Sequence, residues 1–216
     1  MKKHLKIDFV SDVSCPWCAI GLESLQAALR RLDGQVSVDI HFQPFELNPH
    51  MAPEGQDIGE HLAEKYGSSP DQAAAAREAI RARGETLGFA FNMDKRGRIY
   101  NTFDAHRLLH WAELEGKQLA LKKALLKAYF TDGANPSDKA LLVRVAGEVG
   151  LDAARAQEIV NTDAYAQEVR AQEQFYQGQG ISSVPAVIIN DRHLISGGQA
   201  PEVFEQALRQ IADTAQ

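Results

Sequence analysis

Asp8-Phe9-Val10-Ser11-Asp12-Val13-Ser14-Cys15-Pro16-Trp17-Cys18 decides the fold of this chain, because a strand pattern runs into a pair of cysteines and leaves it as a helix. Upstream, Leu5, Ile7 and Phe9 alternate with Lys6 and Asp8, the period of a half-buried strand. Downstream, Ile20, Leu22, Leu25, Ala28, Leu29 and Leu32 recur at helical intervals, and Pro16 suits a first helical turn. Cys15 therefore falls at a helix N-terminus, where free backbone N–H groups and the positive end of the helix dipole stabilise a thiolate. Cys18 follows three residues on, on the same face. The chain has no other cysteine, and of two cysteines placed at random in 216 residues only about one pair in a hundred would be spaced this way. The spacing predicts a dithiol–disulfide couple, with Cys15 as nucleophile and Cys18 as resolving thiol.

Working outward, Asp33-Gly34 ends the helix, and Val36, Val38, Ile40 and Phe42 alternate in a second strand. Strand, helix, strand is a βαβ unit whose strands run parallel through a right-handed crossover. Phe45-Glu46-Leu47-Asn48-Pro49 then opens a loop to about Gln56, and the strand pattern stops for more than a hundred residues. From Asp57 to Gly180 the periodicity predicts about six helices. Ser69-Pro70 starts one, and Gly84 and Gly88 weaken its end. Phe89 to Ile99 reads as an irregular connector, and Asn101 or Thr102 caps a helix whose inner stripe is Phe103, His106, Arg107, Leu109 and His110. Gly116, Gly133 to Pro136, Gly150 and Asn161-Thr162 separate the rest. Strands return with Pro185 to Ile189, an Asn190-Asp191 turn and His193 to Ser196, and Pro201 opens a last helix. The fold class is α/β: a thioredoxin-like βαβ…ββα domain, residues 1–56 and 181–216, interrupted by an α-helical insertion domain, residues 57–180.

With 44% hydrophobic and 24% charged residues the chain has the composition of a globular protein. A net charge of −6 without any basic run argues against a nucleic-acid partner. No segment reaches the ~18 apolar residues of a membrane helix, and the start lacks the pattern of a secretory signal, so a soluble, cytoplasmic protein is expected. Both cysteines sit in one motif, leaving none for a structural disulfide.

Four stretches together, Asp8-Phe9 through Cys18, Phe45 to Pro49, Asn101 to Leu108 and Ile181-Ser182-Ser183-Val184-Pro185, resemble the FrnE branch of the DsbA-like thiol-disulfide oxidoreductases. The resemblance spans nearly the whole chain. It implies a thioredoxin fold with a helical insertion, exchanging thiols with disulfides in polypeptide or small-thiol substrates. It implies no bound cofactor, with glutathione as a candidate co-substrate, and leaves a homodimer open. Carried over by residue, it makes Cys15 the attacking cysteine, Cys18 the resolving one, and Pro16 and Trp17 the pair that tunes redox potential. It also makes Pro185 a cis-proline facing the motif, with a backbone edge at Val184 to which an extended substrate adds as a strand. His106, from the insertion, would face the site and stabilise the Cys15 thiolate. One departure stands out: such relatives carry a carboxylate on the first strand six residues before the attacking cysteine, where this chain has Phe9. Asp8 falls on the other strand face, and Asp12 is expected to be a solvated turn residue rather than a substitute, so the proton acceptor for Cys18 is unassigned.

Three rival readings weigh less. A CxxC pair supplies half of a zinc site, but there is no third cysteine, and His106 and His110, four apart on one helix, are expected to pack rather than bind metal. A glutathione-using enzyme of the 2-hydroxychromene-2-carboxylate isomerase and kappa-transferase type would use Ser11 or Ser14 to activate glutathione, and would leave Cys18 without a task. A chaperone-like binding module would use Trp17 and Phe45 as contact residues. The motif does not encode direction; a cytosolic thiol pool favours reduction or isomerisation over net oxidation.

Overall fold

The computed structural model describes residues 3–214. In chain order its elements are β1 (Lys3–Ser11), α1 (Pro16–Arg31), β2 (Val36–Pro44), β3 (Gln56–Asp57), α2 (Ile58–Tyr66), α3 (Pro70–Leu87) and β4 (Arg98–Ile99). They continue with α4 (Phe103–Leu114), α5 (Gln118–Phe130), α6 (Lys139–Glu148), α7 (Ala153–Asn161) and α8 (Ala166–Gly178), then β5 (Ala186–Ile189), β6 (His193–Ser196) and α9 (Pro201–Thr214).

The main sheet has the order β2-β1-β5-β6. β1 runs parallel to β2, with Leu5 opposite Val38 and Phe9 opposite Phe42, and antiparallel to β5. Asn190 and Asp191, at φ of 52° and 56°, make the tight turn between β5 and β6, the left-handed geometry a two-residue hairpin needs. Alternation along β1 sorts its side chains between two layers. Leu5, Ile7 and Phe9 enter a core with Leu22 and Leu25 of α1 and Phe204 and Leu208 of α9, while Val10 packs with Tyr176 and Ile181. β2 is an edge strand, and Gln118 of α5 satisfies part of that edge: its Oε1 accepts from the Phe42 N–H at 2.8 Å and its Nε2 donates to the Phe42 carbonyl at 3.0 Å.

Among the described residues the insertion holds seven helices, α2 to α8, where about six were expected. It also holds a two-stranded ladder of β3 and β4, so the strands do not stop after β2, and the stretch read as an irregular connector ends in a strand. Two-residue strands are too short for alternation to register. Ser69 and Gln72 form a capping box that starts α3 ahead of Pro70. Gly84 does more than weaken that helix: it lets the connector press against it, because a Cβ there would lie 2.3 Å from the Phe91 ring and 2.6 Å from the Phe89 carbonyl. The helix runs on to Leu87 and closes at left-handed Gly88.

The insertion and the sheet exchange residues. Ile80, Phe91, Leu126 and Phe130 complete the core of the sheet domain. In return, Val13 from the β1–α1 loop is buried among Leu108, Trp111, Leu121 and Leu142 of the helical core.

Candidate active site

The β1–α1 loop carries the site. Cys15 is the N-cap of α1, with extended backbone (φ −90°, ψ 114°), and the Cys18 N–H donates to its carbonyl at 3.1 Å. Both cysteines are free thiols, and both are buried. The Cys15 thiol donates to the Val184 carbonyl, with Sγ at 3.7 Å, and the Val184–Pro185 peptide bond is cis. Pro185 lies against α1 where Gly21 leaves room for it. Trp17 is 43% exposed at the rim. The turn after β6 closes on the motif through Gly198, where a Cβ would stand 2.8 Å from the Trp17 carbonyl.

The two thiols are electrostatically unequal. A hydrogen bond with Cys18 lowers the pKa of Cys15 despite its burial. Burial, and that same bond, push Cys18 well above the ordinary range. Of the two, Cys15, the thiol at the helix N-terminus, therefore gives up its proton the more readily, as expected for an attacking sulfur.

Asp12 corrects the sequence reading. It is not a solvated turn residue but wholly buried, because the insertion and the 45–49 loop cover it. Its Oδ1 accepts from the Ser14 N–H at 3.2 Å, and its Oδ2 accepts from the Ser14 hydroxyl at 3.0 Å and the Leu47 N–H at 2.8 Å. His106 Nε2 stands 3.5 Å from Oδ1, an electrostatic contact rather than a short hydrogen bond. Burial alone would raise the Asp12 carboxyl, but His106, the Leu47 N–H and Thr102 outweigh it and hold the pKa at about 2. His106 is buried as well, and its polar neighbour is Asp12.

Lys122 of α5 went unnoticed in the sequence. It is buried, its Nζ has no hydrogen-bond partner and lies 5.7 Å from the centre of the Phe42 ring, and Phe42 stacks obliquely on Phe9 with ring centres 5.6 Å apart. An amine thus lies beside the Phe9–Phe42 ring pair, at the position that lacked a carboxylate. Burial lowers the Lys122 pKa while Cys18 and Asp12 raise it, and Lys122 in turn lowers that of Cys18. The signal was present: Lys122, Leu126 and Tyr129 share a helical stripe, and a lysine on an otherwise apolar stripe is anomalous.

The other candidates sort as follows. The Ser11 hydroxyl donates to the Phe9 carbonyl at 3.4 Å and Ser14 is held by Asp12, so both serines are committed to the turn. His110 packs on the Tyr165 ring, with ring centres 5.2 Å apart. No group of three or more His, Cys, Asp or Glu among the described residues is placed to hold a metal ion. Phe45 faces the cavity beside Cys15. The distant stretches at 45–49 and 101–108 meet here: Glu46 accepts from Asn101 Nδ2 at 3.2 Å and pairs with Arg170, and the Phe103 N–H donates to Asn101 Oδ1 at 2.9 Å. Arg107 is structural, its Nη1 reaching the carbonyl of Ile159 in the last turn of α7 and those of Thr162 and Ala164 just beyond it. No helix among the described residues is long and apolar enough to cross a membrane.

Known proteins resemble this chain over most of its length. Residues 6–209 match the family described as DSBA-like thioredoxin domain. A solved structure described as a probable DsbA oxidoreductase from Streptomyces coelicolor is 34% identical and superposes with a TM-score of 0.92 over 99% of this chain and 92% of its own. The uncharacterized protein YwbO of Bacillus subtilis (strain 168) is 28% identical over 210 residues, 96% of each chain. A 2-hydroxychromene-2-carboxylate isomerase, at 15% identity and a TM-score of 0.71 over 98% of this chain and all of its own, shares the fold.

Proposed function

This chain belongs to the DSBA-like thioredoxin domain family, whose members act on thiols and disulfides, and from that premise we propose that it is a dithiol–disulfide oxidoreductase working through Cys15 and Cys18. The carrying observation is the unequal pair: Cys15 at the helix N-terminus with its acidity raised, and Cys18 buried with its acidity lowered. The Cys15 thiolate attacks a substrate disulfide and expels one thiolate. Cys18 then attacks Cys15, closes the protein disulfide and releases the second thiolate; the reverse sequence oxidises a dithiol. Cys18 must lose its proton for this step. Burial lowers the pKa of Lys122, whose amine acts electrostatically on Cys18, and we assign it as the acceptor for that proton. Pro16 and Trp17 tune the couple, and the Val184 backbone beside Cys15 guides substrate. Asp12 and His106 fix the loop and the field around the thiols. The reducing or isomerising direction, the cytoplasmic setting, glutathione as a candidate co-substrate and placement in the FrnE branch belong to this proposal.

The glutathione-dependent isomerase reading finds less support, since the hydroxyls it requires at Ser11 and Ser14 are spent within the turn. A redox titration in glutathione buffers decides between them. Wild type is expected to show a reversible two-electron couple that Cys15→Ser and Cys18→Ser abolish. Glutathione-dependent isomerase turnover that persists undiminished in Cys18→Ser overturns the proposal.

A further inference from the structure

A cavity of about 590 Å³ opens from Cys15 into the insertion, within the size range of small-molecule sites. Trp17, Phe45, Leu62, Ile80, Met93 and Val184 give it largely apolar walls. Three cations border it, Lys65, Arg77 and Arg96, and none pairs with a carboxylate among the described residues. Lys65 Nζ donates to the Leu47 carbonyl at 2.7 Å and to Asn48 Oδ1 at 2.8 Å. Arg77 is exposed on α3. Arg96 is only 8% exposed, its guanidinium lies 4.9 and 5.0 Å from the Tyr129 and Phe130 ring centres, and its Nε has no hydrogen-bond partner. The one carboxylate in the lining, Glu46, is already taken by Arg170.

A buried guanidinium without a counter-ion is costly, and an incoming anion offsets that cost. We propose that this cavity binds a small, predominantly apolar disulfide bearing a carboxylate or similar acid, the acid meeting Arg96, Arg77 and Lys65 and the sulfur presented to Cys15. The proposal rests on the dithiol reading and gives it a substrate class. Glutathione, polar along its whole length, matches these walls poorly. In the reaction, the Cys15 thiolate bonds to one sulfur of R–S–S–R′ and R′S⁻ leaves and is protonated. Cys18 gives up its proton and attacks Cys15, releasing RS⁻. The ligand gains two electrons and the protein dithiol becomes a disulfide.

Stopped-flow single turnovers of the reduced protein test this with two aromatic disulfides, 5,5′-dithiobis(2-nitrobenzoate), which is anionic, and neutral 4,4′-dithiodipyridine. Arg96→Gln and the exposed Arg77→Gln, which carries no risk to the core, are each expected to lower the anionic-to-neutral rate ratio about tenfold. Unreactive 3-phenylpropionate is expected to slow labelling of wild-type Cys15, and 3-phenylpropanamide is not. An unchanged ratio in both variants overturns the proposal. Protection by S-methylglutathione without protection by 3-phenylpropionate overturns it in favour of a peptide thiol. Failure of the dithiol reading is visible separately, as wild-type reaction with 4,4′-dithiodipyridine that does not end in a protein disulfide.

Discussion

At the scale of the residue, the two buried groups nearest in character to the motif's missing carboxylate, Asp12 and Lys122, are the ones least legible in the sequence. Cys15 and Cys18 declare themselves by spacing, but Asp12 looks like any loop aspartate until the 45–49 loop and His106 close over it. Its depressed pKa makes a signed prediction. The folded-state value, about 2, lies below the ordinary 3.8, so the ionised carboxylate adds stability that is fully present above the unfolded value and is lost as pH falls through the folded one. Asp12→Asn is expected to cost about 2 kcal/mol near neutral pH, with the gap to wild type closing between about pH 4 and pH 2 in urea titrations. Lys122 makes the opposite kind of prediction, because it is a buried amine without a hydrogen-bond partner in the core. Lys122→Met is expected to leave stability unchanged or raise it by up to ~2 kcal/mol. It is also expected to slow resolution of the Cys15 mixed disulfide ~100-fold, so that the glutathionylated species accumulates and is caught by mass spectrometry. A merely structural lysine would give neither the accumulation nor a change in its pH profile.

At the scale of the element, periodicity carried most of the fold. The βαβ start, the β5–β6 hairpin and the helix from Pro201 each bury one face of a regular pattern, and a single sequence exposes such a pattern directly. The β3–β4 ladder has only two residues per strand and offers no pattern to read. Gly84 was misread for a related reason: sequence shows that a glycine weakens a helix, but not that a neighbouring segment needs the missing side chain. Gly84→Ala should therefore destabilise the protein by ~1–3 kcal/mol in chemical denaturation, although alanine is the better helix former. A stabilised variant would mean that Phe89 and Phe91 do not press on α3.

At the scale of the whole molecule, the helical block at 57–180 is continuous in sequence but not self-contained in its packing. Val13 reaches into the helical core, and Ile80, Phe91, Leu126 and Phe130 reach into the core of the sheet domain. Such sharing predicts one cooperative unit. In a Cys15→Ser, Trp17→Phe variant, Trp111 emission reports the helical core and labelling of buried Cys18 reports the sheet domain. Both are expected to change at the same urea concentration, and two separated midpoints would show independent units.

The carbonyl that meets the Cys15 thiol belongs to Val184, well over a hundred residues later in the chain. During synthesis the cysteine pair leaves the ribosome that many residues ahead of the backbone it faces, and ahead of the insertion that walls off Asp12 and holds Lys122. Until then both sulfurs are ordinary thiols in a growing polypeptide, without the burial that makes their acidities unequal. The unequal pair is thus a product of completion: a nascent or truncated chain carries the motif but not the surroundings that distinguish its two thiols.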